Sequence, residues 1–175
     1  LFITGIDATP SYTFIGGGLV GSSRLQSFPS GTLSSVISSS GNYDAFIAAY
    51  DTRTGQPLLI YPFGGSGAEF IRDMVSDSTN TGLLYAGIFN TLGGPYSFAP
   101  NPLSSTAVTT IGSDSFISYL NFNAQSWVSA TAAQNQTSGT EIRHMEYAPS
   151  LNVVIMGGFL WGAVDFNPAG GGDIR

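Results

Sequence analysis

The residues that could do chemistry are few and widely spaced. His144 is the only histidine and the chain has no cysteine, so a catalytic triad or an imidazole metal site would depend on that one side chain. Ser66 lies in Gly64–Gly67, which lacks the spacing and the following helix of a nucleophile elbow. Gly16–Gly21 is as glycine-rich as a phosphate loop, but no lysine follows it. We therefore predict that the protein is not an enzyme and has no catalytic or cofactor-binding residues.

Carboxylates in predicted turns could supply oxygen ligands, and one asparagine could carry a glycan. The aspartates are Asp7, Asp51, Asp77 and Asp165. None lies in the dense Asp-x-Asp-x-Asp-Gly arrangement of a calcium loop, so we expect no metal site and no cofactor, with calcium as a minor alternative. Asn135 begins the single Asn-x-Thr sequon, in a polar stretch where we predict a glycosylated surface turn.

Two glutamate–arginine combinations recur beside similar strands. Glu69 precedes Arg72, and Glu141 precedes Arg143. A catalytic carboxylate would not usually be duplicated in each repeat, so we predict structural ion pairs at equivalent positions.

Several aromatic residues in the predicted variable loops could build a sugar-stacking surface. They are Tyr12, Phe14, Tyr96, Phe98 and Trp161. Packing in the core is the alternative for each of them, and the more common one for aromatic side chains.

The composition limits the partners. Charged residues make up 9% of the chain and hydrophobic residues 42%, which favours a folded core over disorder. The five positive charges are all arginine, too few and too scattered to neutralise a row of phosphates, so we exclude nucleic acid. No apolar run approaches the ~20 residues that span a bilayer, so we expect no membrane insertion. Abundant Ser, Thr, Asn and Gly predicts an extracellular or cell-surface protein.

Internal repeats position all of these residues. Ile71–Met74 matches Ile142–Met145 at an offset of 71, and Leu83–Phe89 matches Val154–Leu160 at the same offset. We also align Leu1–Ile6 with Leu83–Phe89. A Gly-x-Asp-x-Phe-Ile pattern begins near Gly41 and again at Gly112, and Gly171 begins a partial third copy. A constant framework thus alternates with connections of variable length, as in repeat architectures.

Each framework is predicted to contain four short strands and essentially no helix. In the first framework the strands are Ala45–Tyr50, Leu58–Tyr61, Ile71–Ser76 and Leu83–Ile88. Turn residues such as Asp51–Gly55 separate them. No apolar pattern with a period of 3.6 residues lasts for the length of a helix.

The motifs resemble the SBBP-type β-propeller repeat family. The resemblance rests on Gly41–Asp51, Gly64–Gly67, Leu1–Gly5 and Gly158–Pro168. It implies a propeller fold and no catalytic residues. The second framework departs from the family pattern at Ala132–Gln136, where Gly-Gly-Ser-Gly is expected.

We therefore predict an all-β, β-propeller-like chain of repeated four-stranded antiparallel blades, about two and a half in number and incomplete on its own. The expected divisions are a last strand of a preceding blade at 1–6, blades at 41–89 and 112–160, the start of a further blade at 171–175, and variable loops at 7–40 and 90–111.

The expected function is structural and non-enzymatic. Unpaired strand edges of an open blade array would pair with further blades of a parent chain or with copies of the protein, giving an assembly subunit, a filament subunit or a surface scaffold. The alternative is a lectin-like or adhesin-like module that binds glycans or proteins through its variable loops.

Overall fold

The computed structural model describes residues 1–26, 34–39, 41–77, 82–90, 113–122, 126–135, 139–161 and 164–165. Within these residues the protein is all-β, as predicted, and contains no helix. Accordingly, no membrane-crossing helix occurs in the part of the chain that is described.

Thirteen strands follow one another along the described chain. They are β1 (Phe2–Ala8), β2 (Tyr12–Leu19), β3 (Ser22–Gln26), β4 (Ser34–Ser38), β5 (Asp44–Asp51), β6 (Pro57–Phe63), β7 (Ala68–Ser76), β8 (Gly82–Asn90), β9 (Ser113–Asn121), β10 (Ser126–Asn135), β11 (Gly139–Ala148), β12 (Val153–Trp161) and β13 (Val164–Asp165).

The four strands predicted in the first framework are confirmed as β5 to β8. The turn between β5 and β6 is closed by Asp51, whose carboxylate accepts a hydrogen bond from the backbone of Thr54 at 2.7 Å. Gly55 follows with a positive φ of 67°, a conformation that glycine adopts without steric cost. The Asp-to-Gly turn signal in the sequence therefore identified this hairpin correctly.

The strands form two larger antiparallel sheets and two hairpins. The first sheet has the order β1-β2-β5-β6, and the second sheet has the order β13-β10-β9-β8-β7. The terminal hairpin consists of β11 and β12, and the covering hairpin consists of β3 and β4.

The boundaries of the sheets along the chain differ from those of the predicted blades. β5 and β6 lie in the first sheet, whereas β7 and β8 lie in the second, so residues 41–89 span two sheets. Residues 7–40, predicted as a variable loop, contain β2, β3 and β4, and β2 is a central strand. Pairing between distant strands decides this division, and local sequence patterns do not encode it. The predicted features at 91–111 and 171–175 fall outside the described residues.

One irregular hairpin occurs three times. The register of β1 with β2 shifts between Ile3 and Gly5, that of β7 with β8 shifts between Ile71 and Asp73, and that of β11 with β12 shifts between Ile142 and His144. A bulge at the same place makes β1, β7 and β11 equivalent. Leu1–Ile6 therefore corresponds to the Ile71–Met74 motif, and our alignment with Leu83–Phe89 was wrong.

The sheets pack face to face. β7 lies against β1, β2 and β5 of the first sheet, and β11 lies against β7, β8 and β9 of the second sheet. The first and second sheets enclose one apolar core, which is rich in aromatic rings. Its buried members include Phe14, Ile47, Ile71, Met74, Tyr85, Phe89 and Phe116.

The covering hairpin closes the opposite face of the first sheet. Leu25 of β3 and Ile37 of β4 are buried together with Leu19, Phe46 and Ala48 of β2 and β5. Alternate residues of β5 therefore serve two different cores, which explains why the residues of this strand from Asp44 to Ala49 are all buried.

Candidate functional site

Close approach of two hairpins defines the contact between the first and second sheets. A Cβ atom on Gly16 of β2 would clash with Met74 Cε and lie 3.2 Å from both Ile71 Cγ1 and Ile71 Cγ2. The absence of a side chain on β2 thus lets an isoleucine and a methionine of β7 fill the space above it. We call this arrangement the sheet contact.

Polar groups join β1, β7 and β11 along the same contacts. Asp7 Oδ2 of β1 accepts from the backbone N–H of Ser76 at 2.6 Å, and Thr4 Oγ1 donates to the carbonyl oxygen of Ile71. Asp73 Oδ2 of β7 accepts from the backbone N–H of Met145 at 2.7 Å. Carboxylate acceptors on one strand therefore satisfy backbone donors of the next, as buried amides require.

The predicted ion pairs are formed differently from expectation. Arg72 Nη2 contacts Glu141 Oε1 at 2.5 Å, across the contact between β7 and β11, and Arg143 Nε lies 3.1 Å from the same oxygen. Glu69 does not pair with Arg72. Glu69 and Glu141 occupy non-equivalent positions in their hairpins. Glu69 pairs with Phe89, two positions from the Gly87 pair, whereas Glu141 pairs with Phe159, one position from the Gly158 pair. The similarity in sequence was therefore not a similarity in structure.

His144 has an acidic partner on the neighbouring strand. Its Nδ1 lies 2.8 Å from Asp73 Oδ2, and its side chain is 75% exposed. The same carboxylate already accepts from the backbone of Met145. The contact orients the imidazole against β7, and within the described residues Asp73 is its polar partner.

Two buried carboxylates lie at the end of the first sheet. Glu69 is fully buried, Asp44 is 3% exposed, and a Cβ on Gly64 would lie 2.8 Å from both Asp44 Cγ and Glu69 Oε2. Glu69 Oε2 accepts from the Gly65 N–H at 2.9 Å. Burial raises the pKa of Glu69 to about 7, with a smaller contribution in the same direction from Asp44 and an opposing one from the Gly65 hydrogen bond.

The equivalent position in the second sheet carries neutral groups beside its aspartate. Asp114 is buried there, and the position corresponding to Glu69 is Thr140. Thr140 Oγ1 accepts from the Ser115 N–H at 2.7 Å, and Ser115 Oγ accepts from the Ile142 N–H at 2.8 Å. Hydroxyl hydrogen bonds thus perform in this contact the role that a carboxyl group has in the first.

The aspartates considered as calcium ligands are engaged in the fold. Asp51 accepts from Thr54, and these hydrogen bonds lower the pKa of the Asp51 carboxyl. Asp77 Oδ2 accepts from the hydroxyl of Tyr119 at 2.8 Å. Burial raises the pKa of Tyr119 to about 12, and the hydrogen bond to Asp77 contributes in the same direction. The described residues contain no group of three or more acidic or histidine side chains arranged to hold a metal ion. The side chain of Asp165 is not among those that the structure describes.

The remaining candidates fall on strands or outside the described residues. Gly16–Gly18 belong to β2, so the sequence that resembled a phosphate loop is a strand. Ser66 lies in a bend between β6 and β7. Asn135 is the last residue of β10, opposite Val164, and the rest of the sequon is outside the described residues.

The aromatic residues expected in loops divide into three groups. Tyr12 and Phe14 are on β2 and pack against Phe122, with Tyr12 and Phe122 ring centroids 4.5 Å apart, so the core alternative applies to them. Tyr96 and Phe98 lie outside the described residues. Trp161 ends β12, where it stacks on Phe159 at 5.6 Å.

An unusually exposed apolar strand marks one end of the molecule. In the described chain β12 is hydrogen-bonded on one side, to β11. Six of its seven large apolar residues are at least 40% exposed, and these are Val153, Ile155, Met156, Phe159, Leu160 and Trp161. A Cβ on Gly157 would meet no described atom within 4 Å. We call this surface the open face.

The opposite end also presents apolar side chains. Ile3 of β1 is 53% exposed and Ile6 is 68% exposed, beside the part of the first sheet that the covering hairpin buries. We call Ile3 and Ile6 the β1 pair. Sequence reasoning missed this pair, although the spacing Ile-x-x-Ile repeats the Ile71-x-x-Met74 pattern and was the available signal.

The sequence matches no protein-family model and no curated protein.

Proposed function

We propose that this protein is a non-enzymatic structural module that builds an extracellular assembly by adding β-propeller-like blades to one another. In this proposal the first sheet, the second sheet and the terminal hairpin are successive blades. The supporting observation is the open face of β12, an apolar strand that no other sheet or hairpin of the described residues covers.

Physical reasoning favours association at the open face. Large contiguous apolar patches are uncommon on monomeric proteins and mark interaction sites. A strand edge with unpaired backbone groups is also a template for another strand. Among the described strands, β12 is hydrogen-bonded to β11 alone and carries an exposed apolar surface, so a further blade would bury apolar side chains and extend the hydrogen-bonded sheet at the same time.

The resemblance to SBBP-type repeats supports the same function. A propeller needs several blades to close, and an array that contains fewer requires additional blades from elsewhere in its own chain or from other chains. The side chains of Asp7, Asp73 and Thr140 accept hydrogen bonds from backbone N–H groups at the contacts between sheets. This use in holding the sheets together agrees with a scaffold rather than a catalyst.

Sedimentation velocity over a series of protein concentrations tests the proposal, together with negative-stain electron microscopy of the most concentrated sample. We expect species larger than the 18.3 kDa chain to increase with concentration and to appear as ordered rings or fibres. A folded protein that remains monomeric at every concentration would contradict it.

The stacked pair Phe159 and Trp161 favours a second candidate, glycan binding. Both rings are about half exposed, and exposed aromatic faces can pack against sugar rings. A glycan array probed with the folded protein, with Trp161→Ala as the control, tests this candidate. We expect binding that the variant loses, and an array without signal would reject it.

A further inference from the structure

Equivalent positions in the three bulged hairpins can be assigned from their registers. Ile3 pairs with Gly17, Ile71 with Gly87 and Ile142 with Gly158. One step beyond the bulge, Gly5 pairs with Gly16, Asp73 with Ala86 and His144 with Gly157. Gly157 on β12 therefore corresponds to Gly16 on β2, and the β1 pair corresponds to Ile71 and Met74 on β7.

The interior of the molecule shows how these positions fit together. Ile71 and Met74 are buried, and both occupy the space over Gly16 of the preceding hairpin. Met145, the residue equivalent to Met74 in the terminal hairpin, is 2% exposed where β11 lies against the second sheet. At both contacts inside the stack, the methionine of the hairpin that comes later in the chain is therefore buried against the sheet that comes before it.

Among the described residues, each end of the stack carries one half of a sheet contact. The β1 pair corresponds to Ile71 and Met74, but no described hairpin lies beneath it and its side chains are exposed. Gly157 corresponds to Gly16, but a Cβ atom on it would meet no described atom within 4 Å. The β1 pair thus matches Gly157 in the same way that Ile71 and Met74 match Gly16, over which they pack.

We propose that a second copy of this chain docks its β1 pair on the open face at Gly157, so that copies associate head to tail. This inference rests on the proposed assembly function and specifies its interface. The contact uses two different surfaces of the chain, so each added copy presents a new open face. Association then continues until a ring closes or a filament forms.

The covering hairpin restricts how the second copy can dock. It buries β2 and β5 residues on the outer face of the first sheet and leaves the β1 pair exposed. A docking partner therefore reaches β1 and not the centre of the first sheet. The open face belongs to a two-stranded hairpin, which is narrow enough to be met by such a limited surface.

Two substitutions disable one surface each. Gly157→Lys places a charged side chain over the open face, in space where no described atom lies within 4 Å of a new Cβ. Ile6→Asp places a carboxylate in the β1 pair, at a residue that is 68% exposed. Val36→Asp, at the exposed surface of the covering hairpin, is the matched control. Circular dichroism and thermal unfolding verify that all three variants remain folded.

Sedimentation velocity of the variants, alone and mixed, tests the head-to-tail arrangement. We expect Gly157→Lys and Ile6→Asp each to be monomeric and Val36→Asp to assemble as the wild type does. An equimolar mixture of Gly157→Lys and Ile6→Asp should recover association that neither variant shows alone, because the mixture retains one unaltered open face and one unaltered β1 pair.

The outcomes separate this interface from the assembly function. If the wild type assembles and either single variant still assembles, or if the mixture stays monomeric, the head-to-tail contact is wrong while the assembly function stands. An Ile6→Asp variant that forms homodimers would instead indicate pairing of two open faces. A wild-type protein that never associates overturns both proposals.

Discussion

Glu69 shows how a single buried side chain can link the fold to pH. The residue is fully buried beside Asp44, and its pKa is raised to about 7. Its folded-state pKa is above the ordinary glutamate value of 4.5, so the folded protein binds a proton more tightly at this side chain than the unfolded chain does. The stabilisation is complete below about pH 4.5 and is lost as the pH rises through about 7.

The Glu69→Gln variant should remove this dependence. The amide oxygen can still accept from Gly65, and the side chain no longer ionises. We expect the wild type to lose on the order of 3 kcal/mol of unfolding free energy between about pH 4.5 and about pH 8, since one pKa unit corresponds to about 1.4 kcal/mol. Urea unfolding at both pH values measures the change.

A carboxylate elsewhere supplies the control for that experiment. Glu146→Gln alters an exposed residue of β11 and should leave the pH dependence of the wild type in place. If Glu69→Gln retains the full wild-type slope, the buried carboxyl group is not its source.

At the scale of the strand pair, each bulge has a glycine opposite to it. A Cβ on Gly17 would clash with the carbonyl oxygen of Phe2, one on Gly87 with that of Phe70, and one on Gly158 with that of Glu141. The bulge brings the backbone of one strand against the other, so a side chain cannot be accommodated there. The repeated glycine in the sequence is therefore a requirement of the hairpin.

Adjacent glycines on β12 allow a matched test of this requirement. Gly158→Ala should destabilise the protein by roughly 1–3 kcal/mol, because the clash is with backbone atoms that cannot rotate away. Gly157→Ala should be neutral or slightly stabilising, because its new methyl group meets no described atom within 4 Å. Chemical denaturation of both variants measures the difference, and equal effects would argue against the steric explanation.

The strands were predicted more successfully than their arrangement. β5 to β8 were recognisable because apolar runs alternate with turns such as Asp51–Gly55. β2 was missed because Gly16–Gly18 were interpreted as a loop, although Gly16 serves the sheet contact and Gly17 lies opposite the bulge of β1. The covering hairpin was missed because its burial depends on Phe46 and Ala48 of β5, which are distant from Leu25 in sequence. The open face could not be predicted because exposure depends on which strands pair.

At the scale of the whole molecule, the layers differ in how well they are covered. The second sheet lies between the first sheet and the terminal hairpin, whereas β12 is exposed along nearly its whole length. Local stability in a protein follows buried contacts and protected backbone hydrogen bonds. Stability should therefore decrease from the second sheet toward β12.

Hydrogen exchange measured by mass spectrometry tests this gradient. Peptides from β8 and β9 should exchange slowest, because both strands are central in the second sheet. Peptides from β12 should exchange fastest among the strands of the bulged hairpins at a dilution where the protein is monomeric, and should become protected when it assembles. Uniform protection across the molecule would contradict the gradient.

The three equivalent hairpins also determine where foreign sequence could be carried. β2, β8 and β12 end at Leu19, Asn90 and Trp161, and their equivalence makes these three ends point to one side of the stack. The segments between β2 and β5 and between β8 and β9 differ in length, while the strand registers around them are preserved. Peptide epitopes inserted after Val20, which is 50% exposed, and after Asn90 would therefore be displayed side by side, and an assembled form of the protein would multiply them into a regularly spaced array.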